Sequence, residues 1–297
     1  MSGPQQSSSG ERRSGRCPVD AETELWFEEL GHVGPSTEPA VLLMSSAHTT
    51  ALIWPESILR TILRSGRRVI RFDTRDIGLS TWPSARGQAY TLDRLCSDAV
   101  CLIDHLGLDR VDVVGLSMGG MIAQLLALSA PQRVGRLVLI ATTADPSRRL
   151  LSPRRPELIS ELEHIRSLDL DDVDRAVAVF EAFAGSRFAF DATWYRQLVV
   201  DELDRGTNRS PTHADAMSSA APWIERLPEI VAPTLVIHGS EDASFPIDHG
   251  RTLAERIPRA TLVEWAGVGH EVPPLLHDQL ARLIVARISS SGAVVSS

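Results

Sequence analysis

Short apolar runs rich in β-branched residues alternate along this chain with longer segments of helical spacing, and that alternation restricts its possible folds most. Ala40-Val41-Leu42-Leu43-Met44, Arg68-Val69-Ile70-Arg71-Phe72, Val111-Asp112-Val113-Val114 and Leu137-Val138-Leu139-Ile140 read as strands, as do Thr234-Leu235-Val236-Ile237 and Thr261-Leu262-Val263-Glu264. Between and after them, Pro55 to Arg64, Leu92 to Leu106, Met118 to Ala130 and Leu275 to Ile288 read as helices. Strands linked by helices run parallel, because a crossover of that length brings the chain back to the same end of the sheet. Hydrophobicity in the runs is continuous rather than alternating, so helices should cover both faces. With Glu24-Leu25-Trp26-Phe27 as a further strand, the expected architecture is α/β, a mostly parallel central sheet between helices.

The β signal vanishes from Ala144 to Leu227, where Arg, Pro, Asp and amphipathic helical patches take over. An inserted helical cap over 144–227 fits this pattern, leaving 22–143 and 228–290 as the core. Residues 1–21 are rich in Ser, Gly and Arg and read as a disordered tail, with 291–297 a flexible end.

Composition removes several chemistries. All 30 basic residues are Arg, so a pyridoxal Schiff base, a lysine-imine aldolase, a lipoyl or biotin carrier and a P-loop NTPase are excluded. A formal charge of −8 argues against binding nucleic acid, whose phosphates demand surplus positive charge. Cys17, Cys96 and Cys101 are too scattered for a disulfide framework or a zinc site. With no apolar run long enough to cross a bilayer and no apolar signal segment near the N-terminus, a cytoplasmic protein that does not engage membranes is expected. No metal or organic cofactor is implied.

Gly115-Leu116-Ser117-Met118-Gly119 fits G-x-S-x-G, with a buried strand entering and an apolar helix leaving. A serine on that strand–turn–helix projects its hydroxyl from a tight turn, and the flanking glycines let strand and helix approach. The helix start aims amide N–H groups and a positive dipole end at a developing oxyanion. The hydroxyl needs a base. Among nine histidines, His270 sits in a Gly-rich loop after the last strand; His238 and His48 also follow strands. Asp242, after the preceding strand, would orient the imidazole, giving the order Ser117, Asp242, His270. Glu241 is its neighbour and competitor, and Asp145, after the strand that follows the serine, occupies another possible acid position.

These segments, with Trp54-Pro55-Glu56, Val69 to Ser80 and Pro233 to Gly239, make residues 22–288 resemble the α/β-hydrolase superfamily. The chain is most similar there to aclacinomycin methylesterase-like esterases of anthracycline biosynthesis. The resemblance implies a Ser117–Asp242–His270 triad, cleavage of a small-molecule ester through an acyl-serine, and backbone amides of Met118 and Ser46 as oxyanion donors. The same elbow also resembles 3-oxoadipate enol-lactonases and carbon–carbon bond hydrolases, and a ligand-binding or cyclase role could reuse the pocket. Met44-Ser45-Ser46-Ala47-His48 departs from the pattern, because relatives carry His-Gly or a Gly pair there. His48 is a candidate for lining the substrate pocket.

Six of the 15 aromatics fall between Phe180 and Tyr195, including Phe183 and Trp194. Such a cluster either lines a pocket for a hydrophobic or aromatic ester or forms the cap's own core.

Overall fold

The computed structural model describes residues 11–31, 38–206 and 212–289. Among the described residues the sheet has eight strands: β1 (Arg12–Pro18), β2 (Glu24–Leu30), β3 (Ala40–Met44), β4 (Val69–Phe72), β5 (Val111–Leu116), β6 (Val134–Ile140), β7 (Thr234–Gly239) and β8 (Ala260–Trp265). Their order across the sheet is β1-β2-β4-β3-β5-β6-β7-β8. β1 and β2 form an antiparallel hairpin that joins β4 antiparallel, and every other pairing is parallel.

Period-two alternation divides the strand side chains between two apolar layers. Val41, Leu43, Val114, Val138 and Ile237 face α1 (Glu56–Arg64) and α9 (His277–Ser289), packing on Ile58, Ile62, Leu280 and Ile284. Leu42, Met44, Val113, Leu139 and Val236 face the layer of α2 (Leu92–His105) and α3 (Met118–Ser129), with Leu95, Leu102, Met121 and Ile122. The central strands β3, β5 and β7 are buried along their whole length, whereas β8 at the edge is largely half-exposed.

The N-terminal expectation is corrected by β1. Residues 12–18 are a paired strand rather than disordered tail, and the core therefore begins before residue 22; residues 1–10 lie outside the described set. Only Cys17 of this strand is buried, so local hydropathy carries no signal. The backbone ladder to β2 holds it, with Arg12 and Arg13 paired to Glu28 and Glu29. Gly15 leaves room for the Phe27 ring, which would stand 2.8 Å from a β-carbon there. The expected flexible end at 291–297 also lies outside the described residues.

Between β6 and β7 the described residues form α4 (Pro156–Ser167), α5 (Asp172–Ala182), α6 (Ala192–Arg205) and α7 (Thr212–Ser219). The segment returns to the core through Trp223, whose indole N–H donates to Gln124 Oε1 at 3.1 Å. After β7, α8 (Ile247–Arg256) covers the sheet beside α3. No helix among the described residues is long and apolar enough to cross a membrane.

Candidate active site

Strand β5 runs into Ser117 at the central, parallel part of the sheet, and α3 begins at the next residue. Ser117 is held at φ 52° and ψ −115°, a conformation L-residues rarely adopt. Space around it explains the flanking glycines. A β-carbon on Gly115 would lie 2.4 Å from the Gly119 carbonyl oxygen, and one on Gly119 would lie 2.3 Å from that of Met44. The elbow thus rests directly on the loop that follows β3. Thr142 ties its hydroxyl to the Ser117 carbonyl at 2.7 Å, bracing the turn from the end of β6.

The three residues singled out from sequence meet in a row. Ser117 Oγ lies 3.0 Å from His270 Nε2, and His270 Nδ1 lies 2.7 Å from Asp242 Oδ2. Asp242 is fully buried, and its Oδ1 accepts from the Ser244 and Phe245 amides at 2.8 Å each. Burial opposes its ionisation, but interaction with His270 and hydrogen bonding to His238 and His270 outweigh it, holding the carboxyl well below the usual range.

Asp145 and Glu241 are bonded elsewhere. Asp145 accepts from the Leu150 and Leu151 amides at 2.7 and 2.9 Å and from Ser147 Oγ at 2.9 Å, which folds loop 145–151 around it. Burial raises its pKa, yet those amides bring it below the ordinary carboxylate value. Glu241 accepts from the Ser186 amide and hydroxyl at 2.8 and 2.9 Å, fastening the segment between β6 and β7 to the loop after β7. His238 is buried beside Asp242: its Nε2 donates to the Phe245 carbonyl at 2.7 Å and lies 3.3 Å from Asp242 Oδ2.

The His270 loop is built at backbone distance against residues 183–185, which follow α5. The His270 amide donates to the Phe183 carbonyl at 2.9 Å, and a β-carbon on Gly269 would lie 2.1 Å from that oxygen. Phe183 and Phe245 flank the imidazole, each with its ring centroid 5.4 Å away. The aromatics between Phe180 and Tyr195 therefore divide. Phe183 faces His270, whereas Phe180, Phe190 and Trp194 surround the buried Tyr195 at 4.7–4.9 Å. Trp194, a candidate for the same wall, makes its ring contacts with Tyr195 and with His277, 5.1 Å away on α9, and not with His270. Its place follows from Phe180 and Phe190, which converge on Tyr195 only once α5 and α6 pack together.

The glycine-free loop after β3 still reaches the elbow. Its left-handed residue is His48, at φ 62°, a conformation His tolerates better than β-branched residues do. Ser46 Oγ bonds Thr49 Oγ1 at 2.9 Å, and Thr49 Oγ1 donates to the Ser46 carbonyl at 3.2 Å. The Ser46 and Met118 amides have no hydrogen-bond acceptor among the described residues. Sequence reasoning missed the contacts that hold this loop, namely His213 on α7 and Glu202 on α6. The exposed ring of His48 lies 5.3 Å from that of His213.

A family model for the alpha/beta hydrolase fold matches residues 39–274. The chain belongs to that family. It is 30% identical to a rhodomycin D methylesterase of Streptomyces peucetius, over 91% of this chain and 97% of that one. It is 27% identical to 3-oxoadipate enol-lactonase 2 of Acinetobacter baylyi, covering 77% and 81% of the two chains. A hydrolase crystal structure from Pseudomonas aeruginosa superposes with a TM-score of 0.72 at 26% identity, covering 93% of this chain and 98% of that one.

Proposed function

We propose that this protein is a serine esterase, with Ser117 as nucleophile, His270 as general base and then acid, and Asp242 as the group that fixes the imidazole tautomer. The observation that carries this reading is the continuous hydrogen-bonded row from Ser117 Oγ through His270 to Asp242, at 3.0 and 2.7 Å, beginning at a strained elbow. Ser117 attacks the ester carbonyl as His270 Nε2 takes its proton. The Met118 and Ser46 amides receive the oxyanion, and His270 returns the proton to the leaving alcohol. Water, activated by the same imidazole, then releases the acyl group.

The substrate class we propose is an ester, in particular a methyl ester, of an aromatic polyketide-type molecule. Its support is the similarity to rhodomycin D methylesterase and the Phe183 ring beside His270, with His48 a further candidate wall of the pocket. Enol-lactone cleavage uses the same row and is the second reading, supported by the similarity to the enol-lactonase. A fluorophosphonate probe should label Ser117 in the wild-type protein, and Ser117→Ala should lower ester turnover about 10⁶-fold without unfolding the chain. More than a tenth of wild-type turnover in that variant rejects the assignment. A panel of methyl aryl esters, acetyl esters and enol-lactones ranks the substrate classes by kcat/KM.

A further inference from the structure

The loop that follows β3 lacks the glycine that would let it turn freely, yet it must present an amide beside the elbow. The structure shows what takes the glycine's place. The His48 amide, on the left-handed residue itself, donates to His213 Nδ1 at 3.2 Å. His213 is nearly inaccessible, and its Nε2 donates to the Arg75 carbonyl at 3.1 Å, so the proton sits on Nε2 and Nδ1 is free to accept. Two residues on, the Thr50 amide and hydroxyl both donate to Glu202 Oε1, at 2.7 and 3.1 Å. The next amide, Ala51, donates to Asp73 Oδ1 at 2.8 Å, while Arg205 reaches Asp73 Oδ2, also at 2.8 Å. His213, Glu202 and Arg205 all belong to helices of the cap segment, α6 and α7.

We infer that His213 and Glu202 are positioning residues through which the cap sets the geometry of the oxyanion loop, so that the Ser46 donor is correctly placed only while the cap is docked. This deepens the esterase reading and rests on it. The physical basis is local. A non-glycine residue at φ 62° is under strain, and a hydrogen bond from its own amide selects that conformer. Thr50 and Glu202 are both buried, so losing that acceptor strands the Thr50 amide where no solvent molecule replaces it cheaply, whereas the bond from exposed His48 to buried His213 is part-buried. Burial favours the uncharged form of each partner: it pushes the His213 imidazole down to about 3, which keeps Nδ1 unprotonated, and the Glu202 carboxyl up to about 8. A shift of the loop by a fraction of an ångström weakens a contact made only in the transition state, so kcat should respond and KM should not.

The experiment compares His213→Leu with His213→Asn, and Glu202→Leu with Glu202→Gln. The leucine variants remove the acceptor; Asn and Gln place an amide oxygen where Nδ1 and Oε1 stood. Both His213 variants lose the donor to Arg75, so their difference isolates the bond to His48. For p-nitrophenyl ester hydrolysis, the leucine variants should lose about 10- to 100-fold in kcat with KM changed less than about threefold. The amide variants should recover most of that loss. Affinity for phenylboronic acid, whose tetrahedral serine adduct occupies the oxyanion position, should fall in parallel with kcat. Hydrogen exchange over residues 45–51 should accelerate in the leucine variants alone. Leucine variants that keep wild-type kcat and boronate affinity while melting earlier would show a merely structural contact and overturn the inference. Wild-type protein that neither labels with fluorophosphonate nor turns over any ester would instead overturn the esterase reading, and the oxyanion role with it, whatever the exchange data show.

Discussion

Asp242→Asn tests the site sharply, because the structure dictates which way the new amide must point. Asp242 Oδ1 accepts two backbone N–H groups, from Ser244 and Phe245, at 2.8 Å each, while Oδ2 faces His270 Nδ1 at 2.7 Å. An asparagine must keep its carbonyl oxygen toward the two amides. The flipped rotamer would set an NH₂ against two N–H donors in a dry site, at roughly 1–3 kcal/mol for each group left unpaired. The two amides together give a preference of at least about 2 kcal/mol, or about 30 to 1. The NH₂ therefore points at His270 Nδ1 and donates to it, which forces the imidazole proton onto Nε2. In that tautomer His270 cannot accept the proton of Ser117 Oγ, 3.0 Å away. Ester turnover at neutral pH should fall about 10⁴-fold, while KM and the melting temperature change little. Asp145→Asn is the control. Asp145 serves the amides of loop 149–151 and does not touch His270, so this change should leave turnover within a few-fold and lower stability by about 1–3 kcal/mol. Steady-state hydrolysis and thermal melts on both variants decide the matter. An Asp242→Asn enzyme retaining a tenth of wild-type activity, or equal losses in the two variants, would refute the placement of the acid.

The divided cap aromatics give a contrast between two phenylalanines. Phe183→Ala should cut kcat/KM for bulky aromatic esters by about 10- to 100-fold and spare acetyl esters, whereas Phe190→Ala, stacked on Tyr195, should lower the melting temperature and reduce both substrates alike; the reverse pattern would place the pocket on the Tyr195 side. Stability should also depend on Glu202, whose carboxyl burial raises from 4.5 to about 8. A group whose pKa is raised on folding stabilises fully below its unfolded value and loses that contribution as pH rises through the folded one, so thermal stability should decline between about pH 4.5 and 8. Glu202→Gln should flatten that part of the curve, and an unchanged slope in melts from pH 5 to 8 would reject the assignment.

Much of this was legible in the chain itself. The continuous apolar runs at Ala40–Met44, Val111–Leu116 and Thr234–Gly239 specify strands buried on both faces, because no amphipathic element can hide such segments. The elbow was legible for a related reason: Gly115 and Gly119 stand where a β-carbon would strike backbone within 2.4 Å, so the sequence records the steric demand directly. Asp242 and His270 could be ranked by their positions after successive strands, since a parallel sheet gathers the ends of its strands at one edge.

What only the tertiary structure decided are features whose partners lie far along the chain. Strand β1 carries one buried residue and is held by β2, so its own hydropathy describes a tail. Phe183 and Trp194 are equivalent as local sequence, and which of them meets His270 depends on how α5 and α6 pack on the last loop. The missing glycine after β3 reads as a defect in isolation. Its compensation comes from His213 and Glu202, which lie 165 and 152 residues along the chain from the amides they accept. Steric rules between neighbours are written into residue type at fixed spacing, whereas a hydrogen bond between distant segments leaves no local pattern and exists only once the chain has closed on itself.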